Sequence, residues 1–133
     1  MPSKKKYKFS QFKVVRCDDG IEEDYIQFEL IWKKKPRNRS MKCGAIAVTI
    51  APTELNYIEH SVVDEHIRGT GIGYKFYEAV MKELGYISSD YFEASPAARR
   101  VWNKLSKNYF YQTNFFEGTI TVYNRKKKTE NKY

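Results

Sequence analysis

A glycine-rich hexapeptide between a predicted strand and a predicted helix is the segment of the chain best suited to chemistry. Its residues are Arg68, Gly69, Thr70, Gly71, Ile72 and Gly73. Alternate glycines let the backbone curl with its amide hydrogens inwards, and the following helix adds unsatisfied donors and the positive end of its dipole. Such a turn can hold an anion, and a pyrophosphate suits it. By itself, the turn does not identify one ligand.

The spacing of the glycines argues against two common nucleotide-binding motifs. A P-loop needs Lys-Ser or Lys-Thr directly after its last glycine, but Tyr74 and Lys75 follow Gly73. A dinucleotide-binding turn needs its third glycine one residue later, at Tyr74. Asp90 lies at the distance of a ribose ligand in such sites, but four predicted strands, not a βαβ unit, precede the turn. A dinucleotide site is therefore a minor alternative.

The elements that must position this turn are seven strands and two helices. Composition and alternation are typical of strands in seven segments, at residues 8–17, 25–32, 43–50, 55–63, 86–92, 109–115 and 119–125. Apolar stripes predict helices over 73–84 and 96–108, and Ser95 and Pro96 are suited to open the second helix. The chain is therefore predicted to belong to the α/β class, as an α+β arrangement of one mixed sheet with helices. The predicted order of its elements is β-β-β-β-α-β-α-β-β.

The turn and its flanking segments resemble the GNAT acetyltransferase superfamily. The signature of that family is Arg or Gln, two residues, Gly, one residue, then Gly or Ala, and it is matched in register by Arg68, Gly71 and Gly73. Residues 62–64 are similar to the end of the family's fourth strand, where a splayed backbone holds the pantetheine arm of acetyl-CoA. Residues 95–109 are similar to its fourth helix, which an Asn or Ser opens near the cofactor.

The resemblance covers about residues 43–125 and implies a GNAT-like acyl-CoA N-acyltransferase fold. We expect a single domain over residues 1–133, with basic tails at about 1–8 and 126–133. The family usually places two helices between its first two strands, to wall the acceptor site. Here only residues 16–24 connect these strands, so the resemblance implies a short member with an open acceptor side.

The resemblance also implies a function: transfer of an acetyl group from acetyl-CoA directly to a primary amine. The residues implied to hold acetyl-CoA, as co-substrate, are Val62, Val63, Arg68, Gly69, Thr70, Gly71, Ile72, Gly73 and Ser95. The acceptor would be an amine, for example a protein lysine. Such an amine is almost entirely ammonium at neutral pH, and freeing it costs about 4 to 5 kcal/mol. A carboxylate can take that proton, directly or through water.

Glu59 is the first candidate for this proton relay, because alternation places it on the same strand face as Val63. An ordinary solvated glutamate is an equally open interpretation. Tyr57 shares that face and lies near the position of the base in some family members. His60 should point to the opposite face, as a core histidine. Trp102 replaces the tyrosine that protonates the departing thiolate in many members, and an indole cannot deliver a proton at neutral pH.

A second hypothesis follows from these departures: a catalytically weak or inactive GNAT-fold module that binds protein or nucleic acid through basic tails. The net charge is +8, and residues 1–16, 33–42 and 125–133 hold 17 of the 24 basic residues. The rest of the chain is acidic. Runs of charge are usually solvated extensions, so nucleic acid is the less favoured partner.

The cysteines, the length and the aromatic residues of the chain indicate what class of protein it is. Cys17 and Cys43 have no C-x-x-C spacing, so with His60 and His66 they do not predict a zinc site. A chain of 133 residues can bury a core without disulfides, so we expect reduced thiols and a cytoplasmic protein. No membrane span or secretory signal is predicted. The aromatic residues expected in the core are Trp32, Phe76, Trp102, Phe110 and Phe115.

Overall fold

Seven strands form one mixed sheet in the computed structural model, which describes residues 7–17, 25–37, 39–50, 56–68 and 70–127. The strands are β1 (Phe12–Cys17), β2 (Tyr25–Trp32), β3 (Lys42–Thr49), β4 (Tyr57–Val63), β5 (Tyr86–Asp90), β6 (Tyr109–Asn114) and β7 (Thr119–Lys126). Their spatial order is β1-β2-β3-β4-β5-β7-β6. The pair β4 and β5 is parallel, and every other neighbouring pair in this sheet is antiparallel.

Two helices connect the strands of the second half of the sheet. They are α1 (Ile72–Leu84), the crossover between β4 and β5, and α2 (Pro96–Asn108), between β5 and β6. The ring of Tyr77 on α1 meets the ring of Trp102 on α2 edge-on, with centroids 5.6 Å apart. Both helices therefore lie on one face of the sheet. Within the residues that the structure describes, no helix is long and apolar enough to cross a membrane.

The core lies between these helices and the sheet. In β2 the alternate residues Ile26, Phe28, Leu30 and Trp32 are buried towards the helices. Glu29 is on the opposite face, where the Lys42 ammonium donates a hydrogen bond to it at 2.9 Å and lowers its pKa. No helix of the described ranges covers that face.

The predicted order of strands and helices is confirmed, and most boundaries agree to within two residues. Residues Phe9–Gln11 form a 3₁₀ turn, so the first strand is shorter than predicted. Leu55, at the predicted start of the fourth strand, lies outside the described residues. Phe110 and Phe115 were expected in the core, and that prediction is wrong. Phe110 is 42% exposed because β6 is an edge strand, and Phe115 is 80% exposed in a turn.

A buried carboxylate ties α1 to β6. The Tyr109 hydroxyl donates a 2.6 Å hydrogen bond to Glu78, and Lys75 and Lys82 lie within 4 Å of the same carboxylate. Burial alone would raise the pKa of Glu78, but the Tyr109 hydrogen bond and the two ammonium charges outweigh it, so the pKa is lowered. The carboxylate is thus held ionised at the junction of both helices and the sheet.

Candidate active site

The parallel strands β4 and β5 meet at one end and separate towards the other. Tyr57 pairs with Ser88, and this is the one pair recorded between these strands in the described residues. Asn56 clamps the joined end: its carbonyl accepts from the Ser88 amide at 3.1 Å, and its side-chain amide donates to the Tyr86 carbonyl at 3.0 Å. Its φ of +48° is a left-handed conformation that Asn tolerates. Beyond this clamp, β4 continues to Val63 without a β5 partner.

A β-bulge interrupts β4 in the middle of this wedge. Ile58 pairs with Val48 and His60 pairs with Ala47, so Glu59 is an extra residue in the ladder. Because strand side chains alternate strictly, one extra residue reverses which face each later side chain occupies. The alternation predicted from the sequence therefore holds only before Glu59.

The bulge corrects two predictions about β4. Ser61 points towards the helices, where its hydroxyl lies 2.5 Å from the hydroxyl of Tyr77, and Val63 shares that side. Glu59 and His60 are both exposed on the other side. The prediction that Glu59 shares a face with Val63 is wrong, and so is the prediction that His60 is a core histidine. A single sequence carries no signal for such a bulge.

Three polar side chains gather on the helix-free side of the wedge. Burial raises the pKa of Tyr57, and the charges of Asp90 and Glu59 raise it further, against a backbone hydrogen bond from Asp90. Tyr57 is therefore close to both carboxylates, and its phenol stays protonated at neutral pH. Asp90 is held in place because its Oδ1 accepts from the Glu93 amide at 3.0 Å. From the sequence, Asp90 is a candidate only as a ribose ligand; its place near Tyr57 depends on the pairing of β4 with β5.

The glycine turn joins the open end of β4 to α1. The Arg68 Nε donates to the carbonyl of Val63 at 2.7 Å, and the Thr70 hydroxyl donates to the carbonyl of Ile67. Gly71 is the N-cap of α1, with φ +88° and no side-chain cap. A Cβ added at Gly71 or at Gly73 would meet no atom within 4 Å. The outer side of the backbone is therefore open at these two positions, and the first amides of an α-helix have no intrahelical partner, as an anion site requires.

The loop between β4 and this turn is anchored to the sheet. The Asp64 amide donates to the Cys43 carbonyl at 2.8 Å, and the ring of His66 stacks on Trp32 with centroids 6.2 Å apart. Ile67 is fully buried. Burial also raises the pKa of the Cys43 thiol to about 12, so this cysteine is not a ready nucleophile. The segment that leads from β4 to the turn is thus held against β2 and β3.

The other residues expected around the cofactor lie at the open end of β4 and at α2. Val62 is 43% exposed and Val63 is half-buried at the open end of β4. Ser95 is the N-cap of α2, and its hydroxyl accepts from the Ala98 amide at 3.2 Å. Gly69 lies outside the described residues. Trp102 is fully buried against Tyr77.

A cavity of about 630 Å³ lies beside the wedge, at the β6–β7 hairpin. Thr119 and Thr121 contribute to its wall, and they pair with Asp90 and Ser88 of β5. The hydroxyls of Ser88 and Thr121 are 2.7 Å apart. The cavity therefore lies on the strand next to the wedge, β7, and is separate from the glycine turn.

Comparison with known proteins finds similar structures but no similar sequences. No protein-family model matches the chain, and no curated protein matches it in sequence. A solved structure from Klebsiella pneumoniae subsp. pneumoniae, assigned as an acyl-CoA N-acyltransferase, superposes with a TM-score of 0.59 at 10% identity, covering 85% of this chain and 96% of that one. The ribosomal-protein-S18-alanine N-acetyltransferase of Escherichia coli gives a TM-score of 0.49 at 14% identity, covering 84% of this chain and 76% of its own. The chain therefore has the fold of the GNAT acyl-CoA N-acyltransferases, as its glycine turn led us to expect.

Proposed function

We propose that the chain is an acetyl-CoA-dependent N-acetyltransferase that moves an acetyl group to a primary amine by direct transfer. One observation carries this proposal: a strand wedge leads through a glycine turn into a helix N-terminus that has no side-chain cap and has open space around Gly71 and Gly73. Acetyl-CoA would supply the activated acetyl thioester. The chain's own residues would bind it, orient it and handle the proton of the amine.

The cofactor side of the site is built from backbone groups. The first-turn amides of α1, at Ile72, Gly73 and Tyr74, have no intrahelical partner and would bind the pyrophosphate of acetyl-CoA. The edge of β4 from Glu59 to Val63 would bind the pantetheine amides in the place of a neighbouring strand. Arg68 acts by positioning, since its Nε already holds the carbonyl of Val63. Ser95 orders the start of α2 near the same end.

The acceptor side of the site would be the helix-free mouth of the wedge. Glu59 and Asp90 both raise the pKa of Tyr57 there, and an ammonium bound near them would be stabilised and then deprotonated by one carboxylate. We assign the proton relay to Glu59, with Asp90 as a second acceptor. Tyr57 keeps its proton at neutral pH and would donate a hydrogen bond.

The thiol side of the site lacks the family's tyrosine. A thiolate is a tolerable leaving group because its ordinary pKa is near 8.5, so Trp102 in that position lowers the rate without forbidding the reaction. Tyr77 is the phenol next to Trp102, and it bonds to Ser61 on β4. Burial raises the pKa of Tyr77, so it holds a proton over the whole neutral range. We assign it as the donor to the thiolate.

Thermal unfolding in the presence of acetyl-CoA tests the binding half of the proposal. A ligand that binds only the folded chain stabilises it by about 2.7 kcal/mol at 100 times its Kd. We expect the melting temperature to rise with acetyl-CoA and to stay unchanged with pantetheine, which lacks the pyrophosphate. No rise at millimolar acetyl-CoA would overturn the proposal and favour a non-catalytic module of the same fold.

Transfer itself is tested by incubating a lysate and a set of amines with isotopically labelled acetyl-CoA, followed by mass spectrometry. We expect label on amines with the wild-type chain. Glu59→Gln together with Asp90→Asn should abolish the label and leave the acetyl-CoA melting shift intact. Label that persists in this double variant would show that the proton leaves by another route.

A further inference from the structure

The strand β6 forms one edge of the described sheet, and its sequence lacks the residues that usually prevent an edge strand from pairing with other strands. Its six residues, from Tyr109 to Asn114, contain no charged side chain and no proline, and all but Tyr109 are exposed. Natural edge strands usually carry charges or proline, because their unpaired backbone groups attract other strands. The opposite edge, β1, follows that rule with Lys13 and Arg16. Only one edge of this sheet is therefore left suited to pairing.

The turn after β6 presents two phenylalanines from a fixed backbone. The Asn114 Oδ1 accepts from the amides of Phe116 and Glu117, at 3.0 and 3.1 Å, and Gly118 closes the turn with φ +70°. Phe115 is 80% exposed and Phe116 is fully exposed. Adjacent exposed phenylalanines on an ordered turn form an apolar patch of the kind that marks a contact surface.

The charges along this edge differ in sign between its two ends. At the start of β6, Arg125 lies 4.8 Å from the ring of Phe110 and Lys127 lies 4.9 Å from the ring of Tyr111. At the other end the hairpin turn carries Glu117. An antiparallel pair of identical strands places the acidic end of each copy beside the basic end of the other. The edge is thus complementary in charge to a second copy of itself.

We propose that the chain forms a two-fold symmetric dimer in which the β6 strands of two copies pair antiparallel, centred near Gln112. The two sheets become one continuous sheet, and this register brings Phe115 and Phe116 of each copy to the start of β6 of the other. This inference is independent of the proposed function. An extended peptide of another protein could occupy the same edge, but it would not need the opposite charges at the two ends.

The mass of the full chain in solution tests the proposal. We expect light scattering after size exclusion, from about 10 to 200 micromolar, to give the mass of two chains. Tyr111→Lys with Thr113→Lys places like charges across the two-fold axis and should give monomers. The matched control is Val15→Lys, which adds a lysine to the other edge and should leave the dimer intact.

Mixing separates strand pairing from a general loss of folding. Tyr111→Glu with Thr113→Glu should also give monomers. An equimolar mixture of this variant with the lysine variant should recover the dimer, because each lysine then faces a glutamate. Phe115→Ser with Phe116→Ser changes only solvent-exposed side chains, and it should weaken the dimer at least tenfold. A monomer at all concentrations overturns the proposal. A lysine variant that is still dimeric, or a mixture of the two variants that stays monomeric, also overturns the proposal.

Discussion

Two glycines at opposite ends of α1 allow backbone strain to be separated from cofactor binding. Gly71, at the N-cap, has φ +88°, and Gly85, at the C-cap, has φ +91°. A Cβ at either position would meet no atom within 4 Å. Alanine therefore adds only the cost of a left-handed backbone, about 1 to 2 kcal/mol at each site. Both Gly71→Ala and Gly85→Ala should lower the melting temperature by roughly 3 to 8 °C.

Only Gly71→Ala should also weaken the binding of acetyl-CoA. An alanine at position 71 relieves its strain by turning the peptide groups that lead into α1, which turns away amides proposed to hold the pyrophosphate. A hydrogen bond to a charged group contributes about 1.5 to 3 kcal/mol, so the loss of one raises Kd by about 10- to 100-fold. Gly85 is a full helix length from that site. Gly85→Ala should bind acetyl-CoA as the wild type does.

Gly73→Ala is a third member of the series, with the opposite effect on stability. Gly73 has ordinary helical geometry and open space around it, so alanine should stabilise the chain by about 0.5 to 1 kcal/mol. The family signature admits alanine there, and binding should be retained. Thermal unfolding without ligand and calorimetric titration with acetyl-CoA measure both quantities. Equal affinity in Gly71→Ala and Gly85→Ala would refute the assignment of the turn, and unequal destabilisation would refute the strain argument.

The remaining predictions concern the core and the mouth of the wedge. The lowered pKa of Glu78 means that its stabilisation is complete above its ordinary value of 4.5 and is lost as the pH falls through the folded value, so Glu78→Gln should flatten the acid side of a stability–pH curve. Tyr109→Phe should cost about 1.5 to 3 kcal/mol in urea unfolding, and a smaller loss would contradict that hydrogen bond. Asn56→Ala should lower the melting temperature and also weaken the binding of acetyl-CoA, because it removes a hydrogen bond that joins β4 to β5. Unchanged affinity would show that this hydrogen bond does not shape the site. Glu59→Gln should reduce the rate at least tenfold at neutral pH and less above pH 9, where the amine loses its proton more readily, and an equal reduction at both pH values would contradict a proton relay.

The sequence predicts the elements of this fold well because each has a strong local signal. The period of the apolar residues sets α1, and Ser95 followed by Pro96 sets the start of α2. The glycine spacing at 68–73 adds the resemblance to a fold that the structure then confirms. These signals depend on neighbours in the chain, so a single sequence carries them.

Features that depend on pairing between strands are not predicted. The bulge at Glu59 is defined by β3, and it reverses the faces of β4 after that residue. Asp90 joins Tyr57 only because β4 and β5 meet at one end. Phe110 has the alternation of a core residue, but its strand is the last in the sheet. The position of a strand in a sheet is set by long-range contacts, which local composition does not encode.

Amide chemical shifts in a ¹⁵N-labelled chain titrated with acetyl-CoA test the central claim most directly. We predict saturable shifts at Gly71, Ile72 and Gly73 and along the open edge of β4, with little change in the β6–β7 hairpin. Desulfo-CoA should reproduce the shifts at the turn, since it keeps the pyrophosphate. Shifts confined to the hairpin, or none at millimolar acetyl-CoA, would contradict the claim that the backbone of this turn holds the cofactor.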